Sequence, residues 1–270
     1  MKLLVTGGAG YLGSEVCRQA AARGFGVLAT QFRTTPPYGA PIPLDVRDDA
    51  AVQRVLMRHG PEVVVHTGYV QQGDAMRETI VRGSRAVAAA AHRSGARLVH
   101  LSTDLVFDGE QGAPYAEEAE PRPVMAYGAA KLEAERLVAQ AHPGALLVRT
   151  SLLYGMPGGP QEALALRDGV ELYTDEIRCP TRVDELAAAL LGLAELELSG
   201  PLHVAAPDAV SRYEFARLLR AAAGEDPDGV RGAPSPRSGR ARNVALDSSK
   251  AAGLLASPLR GVGSAIGLSA

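Results

Sequence analysis

The sequence predicts an α/β protein, a doubly wound parallel sheet followed by a smaller α+β C-terminal lobe. Three observations predict it. Short apolar runs alternate with helical patterns through the first 150 residues, a glycine-rich turn joins the first run to the first helix, and the alternation loosens after Arg149. The apolar runs read as strands at residues 2–6, 26–31, 42–44, 62–66, 97–102 and 145–149. Helical patterns fall at 11–23, 48–59, 74–94 and 126–141. Parallel neighbours need long crossovers, and these helices supply them. Past Arg149 come a Gly/Pro-rich stretch at 155–160, a helix at 183–196 and a strand at 202–205. A loop dense in Pro, Gly and Arg follows at 226–238, then a short helix at 248–255.

The bulk properties narrow the function. With 270 residues, 46% of them hydrophobic, the chain is large enough to bury a substantial core. Its net charge of −2 offers no basic field for nucleic acid or an anionic membrane surface. Cys17 and Cys179 are far apart and lie in no Cys/His cluster, so neither a disulfide framework nor a metal site is expected. No run reaches the roughly 18–20 apolar residues of a membrane span, and the N-terminal run breaks at Gly7 and Gly8, so a cytoplasmic protein is expected. Only three lysines occur, Lys2, Lys131 and Lys250, which makes each worth inspecting.

The turn Thr6-Gly7-Gly8-Ala9-Gly10-Tyr11-Leu12-Gly13 sits where backbone amides and a helix N-terminus hold a pyrophosphate. Gly7 suits the tight turn, Gly10 the approach of phosphate to backbone and Gly13 the packing of helix on strand; Tyr11 and Leu12 belong to the same cofactor-binding turn. The first 150 residues therefore read as a Rossmann-like dinucleotide-binding domain. An acid after the second strand would favour NAD, but Thr30-Gln31-Phe32-Arg33 has none. Arg33 either pairs with a 2′-phosphate, which makes NADP(H) the preferred cofactor with NAD(H) possible, or is a solvated loop charge. Asp45, with Val46 beside it, either accepts from the adenine amino group or shapes a turn.

Tyr127-Gly128-Ala129-Ala130-Lys131 places a phenol and an ammonium four apart, on one face of a helix. A nearby cation favours phenolate and brings a tyrosine closer to the working pH range. Ser102-Thr103 closes the fifth strand and supplies hydroxyls. His66, His100 and His203 end apolar runs and read as hydrogen-bonded structural histidines.

These segments, with residues 102–109, 149–155, Pro180-Thr181 and 242–247, run in order along nearly the whole chain. In that order the sequence resembles the extended short-chain dehydrogenase/reductases, and among them the branch of dTDP-4-dehydrorhamnose reductases and related sugar-nucleotide reductases. The resemblance implies an NADPH-dependent oxidoreductase that reduces the keto group of a nucleotide-linked sugar. Tyr127 would be the proton donor, Lys131 its support and a ligand of the nicotinamide ribose, and Thr103 the hydroxyl that orients the keto oxygen, with Ser102 its competitor. Residues 1–150 would bind NADP(H), and 151–270 would form the substrate lobe, interleaved with the last sheet strands. Arg178, Arg240 and Arg242 are candidates for a substrate diphosphate.

A homodimer is expected from the family. Thr103-Asp104-Leu105 lacks the acid that dehydratases carry at the third position, and Leu152 stands where rhamnose-type reductases carry a tryptophan. The central helix has Arg82 near the place of a family asparagine. The competing readings are a noncatalytic NADP-binding regulatory protein and a sugar-nucleotide epimerase.

Overall fold

The computed structural model describes residues 1–155, 159–236 and 239–267. Of the two predicted loops at 155–160 and 226–238, residues 156–158 and 237–238 lie outside the described residues. In chain order the elements are β1 Lys2–Thr6, α1 Tyr11–Ala22, β2 Gly26–Gln31, β3 Ala40–Pro43, α2 Asp49–His59, β4 Val63–His66, α3 Ala75–Arg77, α4 Ser84–Ser94, β5 Arg97–Thr103, α5 Ala126–Ala141 and β6 Leu146–Thr150. Then follow β7 Leu153–Tyr154, α6 Pro160–Ala165, β8 Glu171–Tyr173, β9 Ile177–Arg178, β10 Thr181–Arg182, α7 Val183–Leu193, β11 Gly200–His203, β12 Val210–Ser211, α8 Arg212–Ala222, β13 Arg231–Ala233, α9 Ser249–Ala252 and α10 Val262–Ala265.

The main sheet has seven strands in the order β11-β6-β5-β4-β1-β2-β3. Pairing is parallel from β5 through β4 and β1 to β2 and β3. The order reverses between β1 and β4, which creates the crevice at the carboxyl ends of the strands where this architecture takes its ligands. Both faces of the sheet are covered, so β4 and β6 are buried at every residue. Leu4, Val64 and Leu98 pack with Leu56 of α2, Val87 of α4 and Val138 of α5 in one core.

The third strand lies at 40–43 rather than 42–44. It is an edge strand, where Pro41 and Pro43 cost no ladder hydrogen bond on a second neighbour. The predicted helix at 74–94 forms, but with a π-helical turn at Glu78–Gly83 between α3 and α4. The seventh strand is Gly200–His203, earlier than predicted, because the Gly200 N–H bonds to the Ala145 carbonyl beside β6. The last predicted helix contracts to Ser249–Ala252 before Gly253.

The chain divides into two compact units: residues 1–102, 129–148 and 187–202 form the first, and 103–128, 149–186 and 203–270 the second. The segments that cross a boundary at 150 are 103–128, which belongs to the second unit, and 187–202, which belongs to the first. The 103–128 excursion leaves the sheet before α5 is made, and the chain returns through α7 and β11 to add the seventh strand. In the second unit, β10 pairs with β7, β12 with β9 and β13 with β8. Its core joins Tyr154, Phe215, Leu219 and Val262. Ser211 caps α8 by accepting the Glu214 N–H at 3.0 Å.

Candidate active site

The glycine turn follows β1 as its sequence requires. Gly7 takes φ +69°, and a Cβ there would stand 2.8 Å from the Cα of Gly68. The Gly10 N–H donates to the Gly7 carbonyl at 2.8 Å, and Gly10, in extended geometry, begins α1 without a side-chain cap. The first turn of α1 carries no acid, so the amides of Tyr11, Leu12 and Gly13 present an uncompensated positive helix end. A side chain at Gly13 would strike the Gly7 carbonyl, and one at Gly10 would lie 3.1 Å from the same oxygen. This cradle fits a dinucleotide pyrophosphate.

Beyond β2, the exposed Arg33 guanidinium lies 5.3 Å from the centre of the Phe32 ring, and Arg47 lies 5.5 Å from the same ring. Asp45 accepts the Arg47 backbone N–H at 3.0 Å and pairs with its guanidinium at 2.7 Å, so it shapes a turn. That hydrogen-bonded guanidinium holds the Asp45 carboxyl below the usual carboxylate range. Val46 is buried, and its Cγ2 would be 2.8 Å from a Cβ at Gly83.

Tyr127 and Lys131 both fall on α5, four residues apart, with Tyr127 half-buried and Lys131 only 4% exposed. The Lys131 Nζ donates to the Leu101 carbonyl of β5 at 2.9 Å and lies 4.7 Å from the centre of the Tyr69 ring. Burial brings its pKa down to about 8, against the pull of Glu135 in the other direction. Gly68, packed on Gly7, immediately precedes Tyr69, so one loop after β4 abuts both the phosphate turn and the lysine. The structure thus brings Gly7, Gly10, Gly13 and Lys131 to the carboxyl ends of β1, β4 and β5.

Ser102 donates to the carboxylate of Glu135, which occupies its hydrogen. Thr103 accepts the Leu105 N–H at 3.2 Å and directs its own hydroxyl toward Asp104 Oδ1 at 3.0 Å. Asp104 also receives the Ser151 hydroxyl at 2.6 Å; burial pushes its carboxyl up, with Arg178 opposing.

Residues 1–265 match the model of the RmlD substrate binding domain. The chain belongs to that family. It is similar to the dTDP-4-dehydrorhamnose reductase of Mycobacterium tuberculosis, 35% identical over 261 residues, covering 88% of this chain and 83% of that protein. The dTDP-4-keto-6-deoxy-D-glucose reductase of Streptomyces niveus is 33% identical over 247 residues, covering 87% and 83%. A solved dTDP-4-dehydrorhamnose reductase from Bacillus anthracis in complex with NADP shares the fold, with a TM-score of 0.85 at 24% identity over 98% of this chain and 95% of that one. The RmlD-family chain is thereby an extended short-chain dehydrogenase/reductase.

In this RmlD-family chain the arginines of the second unit divide. Arg178 is buried and spends its guanidinium on the carbonyls of Ile177, Ala241 and Arg242 at 2.8 Å each, a structural role rather than an anion site. Arg240 pairs with Glu176, and Arg242 lies 3.8 Å from Asp175. Arg212, not singled out in the sequence, donates to Gln161 at 3.1 Å. Its charge is disfavoured first by burial and then by Arg178. His66 is hydrogen-bonded to Thr6 at 2.6 Å and Ser84 at 3.0 Å, as a structural histidine should be. His100 differs: it is fully buried, neither ring nitrogen is hydrogen-bonded among the described residues, and it lies 5.3 Å ring to ring from His66.

Proposed function

We propose that this chain is an NADPH-dependent reductase of the keto group of a nucleotide-linked sugar. The observation that carries the reading is the loop after β4, whose Gly68 packs on the phosphate turn and whose Tyr69 ring lies against Lys131. It supports a cofactor anchored by Gly7, Gly10 and Gly13 and extending toward α5. Arg33 would hold the 2′-phosphate, Lys131 the nicotinamide ribose, and the cofactor supplies a hydride when bound.

Tyr127 gives its phenolic proton to the keto oxygen. The Lys131 ammonium on the same helix face lowers the cost of the phenolate left behind. The Thr103 hydroxyl orients that oxygen by turning its hydrogen from Asp104 to the substrate. Arg242, 3.8 Å from Asp175, and Arg212, which donates to Gln161, are the guanidiniums this reading assigns to the substrate diphosphate, since Arg178 is committed to carbonyls and Arg240 to Glu176. Leu152, packed beside the second-unit core, sets a sugar pocket wall without an aromatic face. The same reading carries a homodimer in the cytoplasm. No described helix is long and apolar enough to cross a membrane.

The test is NADPH oxidation with a panel of nucleotide-linked 4-keto sugars, comparing wild type with Tyr127→Phe. Loss of a general acid is expected to cost about 10²–10⁴-fold in kcat with cofactor affinity retained. Equal turnover in the variant would remove Tyr127 from the chemistry. Cofactor binding without turnover on any ketone would favour the noncatalytic reading.

A further inference from the structure

Glu135 is 4% exposed, in the middle of a helix, and carboxylates are rarely buried without a reason. It lies four residues beyond Lys131, on the same face of α5. Two neighbouring residues of β5 tie this face down. The Leu101 carbonyl accepts from the Lys131 ammonium at 2.9 Å, and the hydroxyl of the next residue, Ser102, donates to the Glu135 carboxylate. Strand alternation puts the Leu101 side chain on the other face, so a backbone oxygen and a side-chain hydroxyl one residue apart fix a cation and an anion one helical turn apart.

We propose that Glu135, held by Ser102, is a positioning residue that keeps the buried Lys131 in its ammonium form beside Tyr127. The chemistry requires such a partner. A lysine sealed from water loses its proton readily, and a neutral amine would neither stabilise a phenolate nor donate to a ribose hydroxyl with a charge behind it. Tyr127 and Glu135 lie one helical turn either side of Lys131 on α5, and His100 on β5, His66 on β4 and Tyr69 after β4 face it. Burial brings the pKa of His66 down to about 3 and lowers that of His100 well below the usual range, so both are neutral at assay pH and add no competing charge. Glu135 is the group among them that favours the ammonium, and it opposes the burial that brings Lys131 to about 8. The inference rests on the reductase reading for its catalytic consequence but not for its measurement.

The scarcity of lysine makes that measurement direct. Protein labelled with ¹³C and ¹⁵N in lysine gives side-chain signals from Lys2, Lys131 and Lys250 alone, and Lys131→Arg identifies the one that matters. In wild type the Lys131 signal should titrate near pH 8. In Glu135→Gln, which keeps the shape and the Ser102 hydrogen bond but not the charge, the midpoint should fall by about one pH unit or more. Glu135→Asp should restore part of the shift, and Ser102→Ala should lower the midpoint less than Glu135→Gln. The limb of the pH–rate profile assigned to Lys131 should move by the same amount. An unchanged midpoint in folded Glu135→Gln overturns the proposal. If that variant does not fold, an unchanged midpoint in Ser102→Ala does so. A shifted midpoint in protein that oxidises no NADPH with any sugar keeps this inference and overturns the reductase reading instead.

Discussion

The glycine at position 13 is the most demanding residue of the phosphate turn, and Gly13→Ala tests the turn as a whole. A methyl group there would stand 2.8 Å from Thr67 Oγ1, 2.9 Å from the Gly7 carbonyl carbon and closer still to its oxygen. Ordinary contact begins at 3.4 Å, so the methyl overlaps by about half an ångström on each of the first two atoms. The obstacle is mainly backbone, and the same Gly7 carbonyl accepts the Gly10 N–H, so no side-chain rotation relieves it.

Overpacking of this kind costs about 1–3 kcal/mol, and a rigid neighbour places it toward the upper end. A chain of this size loses about 2–4 °C in Tm per kcal/mol, so a drop of about 6–12 °C is expected by scanning fluorimetry. NADPH affinity should fall at least about tenfold, the equivalent of ~1.4 kcal/mol, as the amides of the turn are displaced. Gly192→Ala is the control: near the end of α7, with no atom of the described residues within 4 Å of the added Cβ, it should raise stability by about 0.5–1 kcal/mol. Gly13→Ala with wild-type Tm and wild-type NADPH affinity would refute the reasoning.

Arg33→Ala should weaken NADPH about tenfold while leaving NADH unchanged, measured by cofactor fluorescence titration; equal losses for both would deny Arg33 the 2′-phosphate. The buried histidines predict acid sensitivity. Because His66 is held at about 3 in the fold against about 6.5 when unfolded, the unfolded chain takes up the proton first. Stability is therefore full above about pH 6.5 and falls toward pH 3, by up to about 1.4 kcal/mol per pH unit per histidine. His100→Phe removes one such group and should flatten the stability curve in urea melts between pH 6.5 and 4. A slope equal to that of wild type would show that His100 does not titrate on unfolding in this range.

Much of this arrangement was legible in the sequence because it is local. Continuous apolar runs flanked by turns marked β1, β4, β5 and β6, and helical spacing marked α5 at 126–141 with both Tyr127 and Lys131 on it. The glycine spacing marked the cradle. What escaped depended on partners distant in sequence. Arg178 reads as a free guanidinium until carbonyls more than 60 residues away are folded against it.

Glu133 and Glu135 look alike in LEAER, yet Glu133 faces Arg77 on the exposed side while Glu135 is buried against Ser102. The i to i+4 spacing from Lys131 is the sequence signal that could have distinguished them. The pairing of Asp45 with Arg47 shapes the turn there, one of the two roles the sequence offered for it.

The π-helical turn between α3 and α4 sets a phase. Inserting one residue into an α-helical repeat rotates everything before it by about 100° relative to everything after. On one side of that step Arg77 meets Glu133 at 2.6 Å; on the other, Arg85 reaches Asp49 at 2.8 Å. Removing a single residue from 78–83 would let the helix wind evenly and swing Arg77 away from α5. A length change of one at this point would thus uncouple the helix that carries Lys131 from its neighbour, whereas a point substitution at the same place would not.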